Sequence, residues 1–252
     1  MIRLANLTKR YGGFLAVDSL SIEVERGTIF AFLGTNGAGK TTTIKMMTGA
    51  LQPTAGTVEI GGYDIQKNPI EAKFLMGVIP DRPNMYGKLT GKEFMHFIAE
   101  LYKVPYALAK QRTQELLGMY GLGEWQYDLI ESYSHGMKQR LLMCSALVHD
   151  PALLVVDEPM VGLDPRGAKL LKDTFRERAA KGLTIFMSTH SLSVAQEIAH
   201  KLAIIKQGKI VAMGTLQELY AQAKSQASDL EEVFLQIISE GESEEQASRA
   251  EL

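Results

Sequence analysis

One cysteine, Cys144, stands in 252 residues, so no disulfide can close within the chain and the composition fits a reducing cytoplasm. Cys144 lies in an apolar helical run, which marks it as a buried structural thiol. No apolar run approaches the roughly 20 residues that cross a bilayer. Arg3, Lys9 and Arg10 bracket only a short mixed segment, unlike a secretory leader. The expectation is a protein soluble on its own. A dominant charge is lacking too: a formal net charge of −2 gives no global reason to expect a nucleic-acid partner. There are no sustained heptads and no internal repeat, and so no long coiled-coil insertion. With 46% hydrophobic and 22% charged residues the chain can bury a substantial core, and its length allows one or two domains.

What the chain does have is a glycine-rich octet, Gly34 to Thr41, reading GTNGAGKT and matching G-x-x-x-x-G-K-[ST]. Ile29 to Leu33 upstream has the length and apolarity of a buried strand. Thr42 to Met47 downstream is a helix-compatible segment that stops at Gly49. Gly34, Gly37 and Gly39 allow the backbone to approach an anion closely. Exposed N–H groups and the positive end of the helix dipole then form a nest for phosphate oxygens. Lys40 reaches the β- and γ-phosphates in such loops, and the Thr41 hydroxyl ligates Mg²⁺. The implied ligand is a nucleoside triphosphate. Far downstream, Leu153 to Val156 reads as a strand buried on both faces of a parallel sheet, ending in Asp157-Glu158. That placement suits Asp157 to hold Mg²⁺, directly or through water, and Glu158 to polarise an attacking water.

Tyr133-Ser134-His135-Gly136-Met137-Lys138-Gln139-Arg140 precedes this strand by one helix, whose apolar spacing includes Met137, Leu141, Cys144, Ser145 and Val148 and stops at Asp150-Pro151. Val161-Gly162-Leu163-Asp164-Pro165 follows Asp157-Glu158-Pro159. A later strand, Thr184 to Met187, ends in Ser188-Thr189-His190. Tyr11 lies upstream of the glycine-rich loop, before an expected strand. In this order and spacing the chain resembles the ATP-binding subunit of an ABC (ATP-binding cassette) transporter, from about residue 2 to about residue 238. The resemblance implies that Tyr11 stacks on adenine and that Gly34, Thr35, Asn36, Gly37, Ala38, Gly39, Lys40, Thr41 and Thr42 form the Walker A loop. It implies that Asp157 is the Walker B aspartate, Glu158 the catalytic carboxylate and His190 the switch histidine on the γ-phosphate. Ser134 and Gly136 match the serine and second glycine of the LSGGQ signature, and Asp164 matches the D-loop aspartate.

Three departures from the family pattern stand out. Tyr133, His135 and Met137 replace leucine, glycine and glutamine of the signature. Asp81, in Val78-Ile79-Pro80-Asp81-Arg82, stands where a lid glutamine is usual; a carboxylate can ligate Mg²⁺ but cannot donate the amide's hydrogen bonds. Val161 replaces the usual D-loop serine. On this resemblance His135 adds an imidazole side chain beside the γ-phosphate.

The expected fold is α/β: a P-loop NTPase core with a mainly parallel sheet, an N-terminal antiparallel β-region and an inserted helical subdomain. Residues 1–238 read as one ABC ATPase domain, with the nucleotide-binding core in 1–86 and 150–220 and the helical subdomain in 87–149. Within that subdomain Thr90-Gly91-Lys92-Glu93 is a capping box, opening a helix with Phe94, Phe97, Ile98 and Leu101 on one face. After Pro105 a second helix carries Leu116, Leu117 and Tyr120 and ends at Gly121. Core packing is the plain reading of these apolar residues, with one or two near 81–101 left for docking. Leu202 to Met213 reads as a hairpin turning at Gln207-Gly208. A helical extension spans 221–238, where Ser228 to Glu231 form a second capping box ahead of Leu230, Val233, Phe234 and Ile237. Residues 239–252 form an acidic tail.

The implied function is ATP hydrolysis that powers a membrane transporter, of exporter type, with ATP and Mg²⁺ as cofactors. Expected partners are a second copy or a paired ABC subunit, head to tail, and a separate membrane-spanning permease; no nucleic acid is expected. The expected location is the cytoplasmic face of the cell membrane. The alternatives are a non-transport ABC ATPase of translation or DNA maintenance, and a regulatory nucleotide-binding module.

Overall fold

A computed structural model of the chain describes residues 1–81, 85–222, 230–232 and 234–235. The first alternating run forms β1 (Ile2–Tyr11), and Gly12-Gly13 turns it back into β2 (Phe14–Val24). Gly12 adopts φ +58, so the turn needs a residue that tolerates the left-handed region. The next strand, β3 (Ile29–Leu33), is buried at every position. Its side chains alternate between two cores. Ile29, Ala31 and Leu33 face one, while Phe30 and Phe32 pack with Phe186 in the other.

After the glycine-rich loop come α1 (Lys40–Met47), β4 (Ala55–Ile60), β5 (Tyr63–Asp64), α2 (Pro69–Phe74) and β6 (Met76–Ile79). Three helices are then inserted in the chain: α3 (Gly91–Leu101), α4 (Tyr106–Met119) and α5 (His135–Leu147). The core resumes with β7 (Leu153–Asp157), α6 (Pro165–Ala180), β8 (Thr184–Thr189), α7 (Leu192–Ile198), β9 (Lys201–Lys206), β10 (Lys209–Gly214) and α8 (Leu216–Gln222). The main sheet runs β10-β9-β3-β8-β7-β6, parallel throughout except for the β9–β10 hairpin. A second, antiparallel sheet runs β2-β1-β4-β5. This is the α/β P-loop NTPase fold, and it brings the C-terminal ends of β3, β7 and β8 side by side, where open parallel sheets hold their ligands.

Several elements differ from the sequence expectation. Helix α1 starts at Lys40 and not Thr42, because Gly39 at φ +110 ends the loop in a single residue. Strand β8 continues through Ser188 and Thr189, which pair with Phe32 and Leu33 of β3. The capping box at Thr90 is present in both directions: Glu93 N–H donates to Thr90 Oγ1 at 3.2 Å and Thr90 N–H to Glu93 Oε2 at 2.8 Å. The buried stripe of α3 is nevertheless rotated from the expected one. Phe94, Met95 and Ala99 are buried, while Phe97 and Leu101 are 37% and 57% exposed. Residues of α4 and α5 join Phe94, Met95 and Ala99 in one core cluster, so tertiary packing selects the stripe. Leu230 is buried in that cluster too. The capping residues Ser228 and Asp229, with Val233, Ile237 and the tail 239–252, lie outside the described residues. Among the described residues no helix is long and apolar enough to cross a membrane.

Candidate nucleotide site

The glycine-rich loop is held tightly from behind. A Cβ on Gly34 would lie 2.5 Å from the Ile205 carbonyl oxygen, and one on Gly39 would lie 2.7 Å from that of Ala16. Both glycines are therefore demanded by the chain's own packing. Lys40 begins α1 with its side chain buried, and its Nζ donates to Gly34 O at 2.7 Å and Thr35 O at 3.3 Å. A buried ammonium is costly unless paired, and Glu158 Oε1 lies 3.7 Å away. Glu158 leaves the end of β7 at φ 52, an uncommon conformation for a non-glycine residue and one concentrated at functional sites. Its N–H donates to Ser188 O at 3.1 Å. Its Oε2 accepts the His190 N–H at 3.4 Å and lies 2.9 Å from His190 Nδ1. One carboxylate thus links the buried lysine to the histidine beyond β8.

These groups open on a cavity of about 540 Å³. Thr35, Asn36, Gly37, Gly39, Lys40, Thr41 and Thr42 line it, together with Tyr11, Asp81, Glu158 and His190. Gly34 and Ala38 stand behind the loop; Ala38 is buried and its N–H donates to Thr35 O at 3.2 Å. Asp157 is also buried, with its Oδ1 accepting the Ser188 hydroxyl. Phe14 and Ala16 line the cavity as well, although the motif reading did not single them out; Val161, noted there as the D-loop departure, joins them. The signal for Phe14 was the Gly12-Gly13 pair, a two-residue hairpin turn that sets Phe14 opposite Tyr11.

Ser134, Gly136 and Asp164 lie elsewhere. They line a second cleft of about 490 Å³ with Arg140, Gly162 and Arg166. Ser134 caps α5, its Oγ accepting Met137 N–H at 3.3 Å, and Asp164 caps α6, its Oδ1 accepting Gly167 N–H at 2.6 Å. Two helix N-termini and two arginines on one cleft suit an anion. A Cβ on Gly136 would meet only Gly162 O at an ordinary 3.5 Å, so this chain alone does not require glycine there.

The unusual signature residues have internal partners. Tyr133 is buried and donates its hydroxyl to Trp125 O at 2.6 Å, and burial pushes its pKa up. His135 lies against the D-loop: a Cβ on Gly162 would be 2.2 Å from its ring. At the far end of the same helix His149 stacks on Tyr102 with ring centroids 3.6 Å apart, and its Nε2 lies 3.1 Å from Met76 O. Burial pushes the His149 pKa down to about 4. Cys144 is fully buried, which pushes its thiol pKa far up and leaves it inert, as expected of a structural cysteine.

A model of the family described as ABC transporter matches residues 17–161. The chain belongs to the ABC transporter family. The linearmycin resistance ATP-binding protein LnrL of Bacillus subtilis (strain 168) is 36% identical over 87% of this chain and 70% of its own length. The bacitracin transport ATP-binding protein BcrA of Bacillus licheniformis is 40% identical over 84% of this chain and 68% of its own. A solved structure of an ATP binding subunit of an ABC transporter superposes with a TM-score of 0.91 at 30% identity, covering 94% of this chain and 99% of that one. The protein is accordingly an ATP-binding ABC subunit, an ATPase whose hydrolysis powers transport.

Proposed function

We propose that this ABC subunit drives export by ATP-dependent, head-to-tail pairing with a second copy or with a paired ABC subunit, and that ATP is hydrolysed at sites shared between the two. One observation carries this reading: the phosphate loop and the signature residues line separate cavities of the same chain. A second subunit that turns its cleft of Ser134, Gly136 and Asp164 onto the phosphate loop adds two further helix N-termini, those of α5 and α6, to the one that the loop already has in α1.

In this mechanism Tyr11 stacks on the base, the loop from Gly34 to Thr42 cradles the phosphates, and Lys40 leaves its carbonyl partners to neutralise β- and γ-oxygens. Thr41, Asp81 and Asp157 would hold Mg²⁺ through oxygen donors, as that ion requires, Asp157 directly or through water. Among the described residues no cluster of three or more histidines, cysteines, aspartates or glutamates could hold a metal ion. Bound Mg²⁺ supplies charge neutralisation on the phosphate oxygens. Glu158 orients the water and accepts its proton as the oxygen attacks the γ-phosphorus, while the bond to the β–γ bridging oxygen breaks and ADP leaves. His190, held on Glu158, contacts the γ-phosphate. Loss of that phosphate removes the link between subunits and the pair opens.

The resistance named in the linearmycin relative supports outward transport. The membrane partner is a separate permease that places the subunit on the cytoplasmic face of the membrane. Exposed Tyr86 and Phe97, edge to face at 5.5 Å, are the two docking residues near 81–101.

The test mixes two variants, Lys40→Ala and Ser134→Arg. Each homodimer carries a lesion in both sites and is expected to be inactive. A mixed dimer has one doubly damaged site and one intact site, so mixing should restore ATP-dependent dimerisation, read by size-exclusion chromatography with light scattering. No rescue at any mixing ratio removes the shared site.

A further inference from the structure

On the nucleotide-binding reading of the phosphate loop, we propose that Phe14 is a second base-stacking residue, forming with Tyr11 an aromatic pair that favours purine over pyrimidine nucleoside triphosphates. Tyr11 and Phe14 flank the two-residue turn and are direct cross-strand partners. Residues so paired project to the same face with Cβ atoms roughly 5 Å apart. Both line the phosphate-loop cavity, and Phe14 is 66% exposed. A lone exposed aromatic is ordinary and needs no explanation. Phe14 differs in standing beside the base-stacking tyrosine at the mouth of a cavity that ends in a phosphate loop.

One face of Tyr11 is already engaged, with Lys9 Nζ 5.3 Å from the ring centroid, and Lys9 is itself fixed by a 2.7 Å bond to Gln52 O. The opposite face of Tyr11 is left for a base, and Phe14, the cross-strand partner of Tyr11 in the same cavity, would add its own ring to the stacking area. The hairpin does not drift relative to the loop. The Ala16 carbonyl abuts both Gly39 and Gly208, and Asp18 N–H donates to Gly208 O at 2.9 Å. Distance from rings to phosphates is thus set by backbone packing. Apart from the Tyr11 hydroxyl, this end of the cavity (Tyr11, Phe14 and Ala16) offers π-faces and a methyl group. Such a surface ranks bases by stacking area, which separates purines from pyrimidines and leaves adenine and guanine alike.

The experiment measures affinities of the full chain for ATP, GTP, CTP and inorganic tripolyphosphate by calorimetry. Phe14→Ala should weaken ATP and GTP roughly tenfold, the scale of losing one base–aromatic contact. CTP should weaken less, and tripolyphosphate should not change. Phe14→Trp should restore purine affinity. In a Trp125→Phe background its fluorescence should be quenched by ATP and not by tripolyphosphate. Parental ATP affinity in Phe14→Ala overturns the inference and leaves the nucleotide site standing. Equal loss of tripolyphosphate and ATP also overturns it, since Phe14 would then act through the fold. A parent protein that binds neither ATP nor tripolyphosphate sinks the nucleotide site and this inference together.

Discussion

The two halves of the proposed shared site are built on different terms. Around the phosphate loop, the glycines answer to the chain's own backbone: Ile205 O and Ala16 O leave no room for side chains at Gly34 and Gly39. Lys40 and Glu158 already have partners within the chain. Around the signature, Ser134 and Asp164 serve as helix caps among the described residues, and Gly136 has room for a Cβ. A glycine that its own fold does not require points to something that approaches from outside. One half is thus preorganised by folding, whereas the other is, on the proposed reading, a surface whose chemistry a partner completes.

The sharpest way to break this contrast is at Glu158. Glu158→Gln keeps the shape but removes the base, so hydrolysis should fall by about 10²-fold or more while ATP still binds. ATP-bound pairs should live longer, because the signature surface is untouched. Phosphate release near the parental rate would contradict the role given to this carboxylate.

A paired glycine experiment separates the two halves directly. Gly34→Ala forces a methyl group against a backbone oxygen and should cost about 1–3 kcal/mol of stability, visible as a lower Tm. Gly136→Ala should leave Tm unchanged or slightly raised, since alanine favours helix, yet it should impair ATP-driven dimerisation. Equal thermal destabilisation by both variants would erase the distinction.

His149 tests how the signature helix is anchored to the sheet. Its folded pKa of about 4 lies below the ordinary value of 6.5, so the unfolded chain binds the proton more readily. The stability that His149 contributes is present above about pH 6.5 and is lost as the pH falls towards 4. Between pH 7 and 5.5 this amounts to about 1 kcal/mol. His149→Gln should flatten that part of the Tm–pH profile; an unchanged slope would show that the anchor carries none of it.

The smallest effect is expected at Asp81. Asp81→Ala should lower Mg²⁺-dependent hydrolysis several-fold with little change in ATP affinity, and Asp81→Gln should bind ATP normally. Magnesium titrations at saturating ATP would expose a parental response and so remove Asp81 from the metal's surroundings.

Local pattern made much of this molecule readable. The β3 strand, the Thr90 capping box and the β9–β10 hairpin follow from neighbouring residues alone, because turns, caps and alternation are short-range. The α3 stripe was not readable in full. Phe97 and Leu101 satisfy the same helical spacing as core residues, and only the positions of α4 and α5 decide which apolar positions are covered. Phe14 escaped the motif reading for a similar reason: its place in the cavity comes from the hairpin that sets it beside Tyr11, and no motif letter records that.

The sequence by itself determined the family, the phosphate loop and the order of the site motifs, since a nest of N–H groups, a lysine and two strand-end acids are specified by residue type and spacing. Tertiary structure alone decided which groups meet. Lys40, Glu158 and His190 come from three separate strand ends and are gathered because β3, β8 and β7 are neighbours in one parallel sheet. Ser134 and Gly136, at the N-terminus of α5, face a different cleft from the phosphate loop. Spacing along a chain fixes local geometry over a few residues, whereas the separation of distant segments is set by how sheets and helices pack.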